Sequence, residues 1–160
     1  MRLSIICVGR LKAGHERELF ERYTKRFTAL GRQIGLGSLN LIELPESRAS
    51  QVLARQTEEA RAIVMRCPDN AVLVLLDERG KSLSSAAFAE WIGAERDAGA
   101  AGICFAIGGP DGHGAPARAA ARMTVNMGRM TLSHGLARVV LGEQLYRAAT
   151  ILAGHPYHRQ

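Results

Sequence analysis

The sequence predicts an α/β fold, an open and mostly parallel sheet with helices on both faces. Three observations carry this. Strand-like and helix-like segments alternate along the 160 residues. The runs AVLVLLDERG (71–80) and GICFAI (102–107) are apolar at consecutive positions, which marks strands covered on both faces, as parallel strands are. The first helical stretch repeats apolar residues at Leu19, Tyr23, Phe27 and Leu30, the spacing of one helix face packed on a sheet.

In chain order, LSIICVG (3–9) is a strand and HERELFERYTKRFTAL (15–30) a helix. LNLIELPE (39–46) is a short strand stopped by Pro45, and residues 50–66 form a second helix with its apolar residues spread over mixed faces. After the third strand, residues 82–99 form a helix, with serines to cap its start and Gly99 to end it. Beyond GICFAI, PARAAARMTV (116–125) reads as a short helix opened by Pro116 at a tolerated first-turn position. VNMGRMTL (125–132) reads as a broken fifth strand. Residues 133–154 form the longest helix, with Leu136, Val139, Val140, Leu145 and Ile151 expected on its apolar side.

With 47% hydrophobic residues, the chain can bury one substantial core, so a single domain over 1–160 is expected. The apolar part of MRLSIICVGRLKAG is too short to span a membrane, and Arg10 and Lys12 do not resemble a signal cleavage site. A soluble cytoplasmic protein is expected. Cys7, Cys67 and Cys104 have no CxxC spacing and read as reduced thiols. The net charge of +6 favours a polyanionic partner, nucleic acid foremost.

The turn GGPDGHG (108–114) follows a buried strand and spends four of its seven residues on glycine. Glycine is kept where φ must be positive or where something approaches the backbone closely. Ligands of open α/β sheets bind beyond the carboxyl ends of the strands, and the loops after Leu76, after Ile107 and around Met127 to Leu132 all leave such ends. Neither GxGxxG nor a loop ending in GK[ST] is present, which disfavours a dinucleotide or a triphosphate in the usual geometry. No metal-ligand spacing stands out, and GxSxG is absent. Composition and spacing therefore reach a basic α/β ligand-binding domain with glycine loops.

At GGPDG, MTLSHGLARVVLGEQLYRAATI and the terminal HPYHR, the chain resembles the bacterial ribosomal RNA large subunit methyltransferase H family, small members of the knotted SPOUT superfamily. The resemblance extends to LSIICVG and LLDERGK and so covers the whole chain. It implies a C-terminal deep trefoil knot and a homodimer that binds S-adenosylmethionine in the knot. The implied reaction is methylation of N3 of a pseudouridine in helix 69 of 23S rRNA on assembled 70S ribosomes. Carried over, the cofactor positions are Leu76, Gly108, Met127, Gly128, Arg129, Met130, Thr131 and Leu132, with no metal. Ser133 stands where the family usually has proline, and His113 stands at a position more often apolar.

The resemblance also makes Glu143 and Arg147 active-site groups beside the tail. There Tyr157 can stack on or hydrogen-bond a base, His158 can accept a proton, and Arg159 can pair with phosphate or an imidate oxygen. The tail is expected to drape over the cofactor cleft. Two other functions fit the same charge and fold: a non-catalytic ribosome-associated RNA-binding protein, and a knotted methyltransferase of tRNA.

Overall fold

A computed structural model of the chain describes residues 1–158. Five strands form one sheet in the order β2-β1-β4-β3-β5, every pair parallel. They are β1 (Arg2–Val8), β2 (Leu39–Leu44), β3 (Ala71–Ser82), β4 (Gly102–Ile107) and β5 (Met123–Asn126). The connecting α-helices are α1 (His15–Gly31), α2 (Val52–Arg66), α3 (Ser85–Asp97), α4 (Ala115–Ala120) and α5 (His134–Leu152).

The pleat explains why both faces are covered. Leu3, Ile5 and Cys7 of β1, Val74 of β3 and Ile103, Phe105 and Ile107 of β4 face α1, α3 and α5. The alternate residues Ile6 and Val8, Leu73 and Leu75, Cys104 and Ala106 pack with Ala60 and Ile63 of α2 and Ala117 of α4. β4 lies in the middle of the sheet, and all six of its residues are buried.

The helix signals act where the sequence placed them. Ser84 accepts a hydrogen bond from the Ala87 amide at 3.1 Å, and Gly99 ends α3 at φ +80°. Ser133 caps α5 by accepting from the Leu136 amide at 3.4 Å. Two expectations are corrected. Residues 116–125 are not all helical: α4 stops at Ala120 and the fifth strand runs from Met123 to Asn126, because that stretch pairs with β3. Residues 127–132 are loop. On α5, Leu136 is 46% exposed and Val140 half-buried, while Arg138, Leu141 and Gly142 turn inward. The helix is gripped by α1 on one side and α3 on the other, so its outward stripe carries apolar residues too.

β3 holds β5 in two places. Leu76 pairs with Val125, and after a register shift Lys81 pairs with Val125 again. Residues 77–80 therefore arch past β5, and they do so closely: a Cβ on Gly80 would lie 2.5 Å from the Val125 carbonyl carbon and 2.6 Å from its nitrogen. Both obstacles are backbone. Gly80→Ala is expected to destabilise the fold by about 2–3 kcal/mol through overpacking. Urea unfolding checks it, and an unchanged midpoint would contradict the close crossing.

Candidate cofactor cleft and active site

The sheet register brings the three predicted loops together. Leu76 lies level with Ile107 on one side and Val125 on the other, so Gly108 and Met127 emerge at the same edge of the sheet. They open onto a cleft of about 420 Å³, within the size range of small-molecule sites. Leu76, Gly108, Met127, Gly128, Met130, Thr131 and Leu132 all line it. Arg129 does not; it is exposed. Met130, 85% exposed, flanks the cleft from the rim rather than from the core.

Three of the four glycines of the 108–114 turn have separate reasons. Gly112 closes the turn by donating to the Gly109 carbonyl at 2.9 Å and sits at φ +78°. A Cβ on Gly108 would come within 3.2 Å of the His113 ring, and one on Gly114 would meet the Gln56 carbonyl of α2. The turn is also clamped from outside. Arg55 donates to Asp111 Oδ2 at 2.6 Å and Gln56 donates to the Asp111 carbonyl at 2.6 Å.

Asp77, Arg118 and His113 form a second set of struts. Arg118 pairs with Asp77 at 2.6 Å and also donates to the His113 carbonyl. Burial would raise the Asp77 carboxyl, but the Arg79 amide and the Arg118 guanidinium outweigh it and hold its pKa below the usual value. His113 contacts the Leu76 carbonyl through Nε2 at 3.0 Å. Burial lowers its pKa, so the ring is neutral near pH 7 and Nε2 is the donor. No spacing in the sequence points to Arg55, Gln56, Asp77 or Arg118, whose partners lie more than forty residues away, nor to the cleft-lining His134.

The α1-facing side of α5 carries a buried ion pair. Arg138, 1% exposed, donates to Glu43 Oε1 at 2.6 Å and to the Gly9 carbonyl at 2.7 Å. Burial opposes ionisation of Glu43, yet the Leu11 amide and Arg138 hold its pKa below the ordinary carboxylate range. Cys7 nearby is pushed up to about 12, chiefly by burial, and stays a thiol.

At the other end of α5, the tail is built into a cluster. Glu143 Oε1 accepts from Arg147 at 2.5 Å and from the Tyr157 hydroxyl at 3.0 Å. The Arg147 guanidinium lies 5.0 Å over the Tyr157 ring, whose centroid is 4.8 Å from that of Tyr146. His158 Nδ1 is 3.4 Å from Arg147. Burial and the Glu143 contact push the Tyr157 hydroxyl above its usual pKa, so it is a donor. Arg159 lies outside the described residues. The structure thus brings Glu143, Arg147, Tyr157 and His158 together, but not over the cleft of the same chain. Ala137 is the last residue of α5 to line the cleft, and the ten residues from there to Arg147 rise about 15 Å.

A parallel sheet whose glycine-built cleft lies beyond the carboxyl ends of its central strands defines an α/β protein that binds a small ligand at that edge. A family profile described as "Predicted SPOUT methyltransferase" matches residues 1–158. The chain belongs to the SPOUT methyltransferase family. It is 54% identical over 159 residues, 99% of each chain, to a protein of Rhodopseudomonas palustris named Ribosomal RNA large subunit methyltransferase H. A protein of the same name from Brucella anthropi is 52% identical over 99% of each chain. Among solved structures, the SpoU methyltransferase AviRb of Streptomyces viridochromogenes, in complex with the cofactor AdoMet, aligns at a TM-score of 0.43 and 14% identity. That alignment covers 95% of this chain and 58% of AviRb.

Proposed function

We propose that this protein is an S-adenosylmethionine-dependent methyltransferase of large-subunit ribosomal RNA, acting in the cytoplasm on N3 of a pseudouridine in helix 69 of 23S rRNA within assembled 70S ribosomes. What carries the reading is the meeting of Leu76, Gly108, Met127, Gly128 and residues 130–132 on one cleft in a chain of this family. The residues fit the cofactor. Gly108 leaves open the space a Cβ would fill beside the His113 ring, so backbone amides and carbonyls can reach a nucleoside, while Leu76, Met127 and Leu132 offer apolar walls. S-adenosylmethionine supplies a methyl on a sulfonium, whose departing thioether needs no acid.

The protein's own residues then have two tasks. The cleft holds the cofactor in line with the attacking nitrogen. The tail cluster handles the imide proton of the base, which leaves before or during attack: His158 accepts it, and Arg147 and Arg159 supply positive charge for the oxygen left electron-rich. The Glu143 bonds to Arg147 and Tyr157 fix the cluster.

Because cleft and cluster lie far apart on one chain, the reading includes a homodimer. The exposed Leu136 and the half-buried Val140 and Gln144, the last accepting from Ser85 of α3, form a stripe on α5 between them. Two copies packed antiparallel along this stripe set the tail of one beside the cleft of the other. The reading also includes the trefoil knot, supported by the double pairing of Val125 and the arch of residues 77–80 past it. Exposed Arg79 on the cleft, exposed Lys81 of β3 and exposed Arg129 of the 127–132 loop suit phosphate contacts.

The test is transfer of a labelled methyl group to 70S particles lacking the modification, with the methylated base mapped. Transfer to free tRNA and not to 70S particles would refute the substrate. Binding to ribosomes is expected to weaken steeply between about 50 and 200 mM salt; filter binding or sedimentation across that range checks it, and a flat response would remove the electrostatic argument.

A further inference from the structure

Glu59 of α2 is the buried charge at this edge of the sheet that the fold does not pair. Its side chain is 6% exposed. Oε1 accepts from the Ser47 amide at 2.9 Å, whereas Oε2 has no hydrogen-bond partner among the described residues. That free oxygen is directed at the cofactor turn: a Cβ built on Gly109 would lie 2.6 Å from it, and Gly109 lines the cleft. The carboxylate is therefore separated from the cleft by a single residue with no side chain.

Neighbouring charges are spent elsewhere. Arg55, one turn before Glu59, commits its guanidinium to Asp111 and to the carbonyls of Ala49 and Ser50. Asp77 is neutralised by Arg118. Burial lowers the pKa of both His113 and His134, which keeps these cleft-lining rings neutral near pH 7. A buried carboxylate oxygen with no partner is costly unless something bound compensates it. A cation in the cleft would do so.

We infer that Glu59 selects for positive charge in the cleft, favouring the sulfonium form of the cofactor over the neutral thioether left after methyl transfer, and so promotes exchange of spent cofactor. This rests on the assignment of the cleft to S-adenosylmethionine. Substrate and product cofactor share the nucleoside, the carboxylate and the ammonium; they differ in the methyl and in the charge on sulfur. Their affinity ratio therefore reports the sulfonium, and a merely structural role of Glu59 would not move it.

Calorimetry on the full chain with S-adenosylmethionine and, separately, S-adenosylhomocysteine tests the inference. Glu59→Gln is expected to weaken the sulfonium ligand by roughly tenfold, the scale of one charge acting across several ångströms of protein, and to leave the thioether within about twofold. Glu59→Asp, which keeps the charge, is expected to retain much of the ratio. Equal weakening of both ligands, or no change in either, overturns the inference and leaves the cleft assignment standing. If the glutamine variant does not fold, the intact protein decides: equal or tighter binding of the thioether overturns the inference. Failure of the intact protein to bind either ligand overturns the cleft assignment and this inference with it.

Discussion

Replacing Arg138 with alanine is expected to destabilise the protein by about 3–5 kcal/mol, the range for removing one partner of a buried ion pair. The guanidinium ties α5 to the ends of β1 and β2 through the Gly9 carbonyl and Glu43. Without it, Glu43 keeps the Leu11 amide at 2.6 Å and a longer contact to Arg17 at 3.8 Å, but loses its short charged partner. Adding Glu43→Gln to the alanine variant should recover part of the loss, because a neutral amide costs less than an unpaired carboxylate. Urea denaturation of both variants measures this, and a loss under about 1 kcal/mol for Arg138→Ala would mean water replaces the guanidinium freely.

The sign of the pH dependence follows from the same pair. The folded pKa of Glu43 lies below its unfolded value, so its contribution to stability is present above the unfolded pKa and is lost as pH falls through the folded one. Asp77 behaves alike. The wild-type protein should lose stability on acidification in the acid range, and Arg138→Ala should show a shallower loss there. Equal slopes in both proteins would remove Glu43 from the account.

The fold was legible because its signals are local. Consecutive apolar residues in 71–76 and 102–107 have no other economical meaning than central parallel strands, and Ser84, Gly99, Pro116 and Ser133 act within one turn of themselves. β5 begins two residues before the predicted strand because Met123 and Thr124 pair with Val74 and Leu75, a partnership about fifty residues apart in sequence that no helical periodicity reveals. Leu136 is exposed and Val140 half-buried, against the inward position that apolar spacing predicts, because an apolar residue does not say whether its cover is the core or another surface. Of the site, the loops after Leu76, after Ile107 and at 127–132 follow from the strand ends, and their cofactor residues from resemblance. The struts Arg55, Asp77 and Arg118, and the buried Glu59, could not: each is an ordinary charged residue until the fold supplies its neighbour or denies it one.

Truncation after Gly154 is expected to leave binding of S-adenosylmethionine within about twofold and to lower turnover by at least about a hundredfold, the usual worth of a placed proton-transfer group. Cofactor affinity should survive because none of the described tail residues lines the cleft. Turnover should fall because Tyr157 and His158 leave the Glu143–Arg147 pair with them. Tyr157→Phe isolates one contact: the ring still packs on Tyr146 and under Arg147, but the hydrogen bond to Glu143 is gone, so an intermediate loss is expected. The decisive version uses two defective chains. Gly108→Val crowds the cleft at the His113 ring, and the truncated chain lacks the tail. If each cleft works with the tail of a second copy, co-expressing them yields mixed pairs with one intact cleft opposite one intact tail, and a fraction of turnover returns. Mixed pairs as inactive as their parents would place the tail on its own chain's cleft, where the 15 Å or so along α5 would have to be closed by a rearrangement.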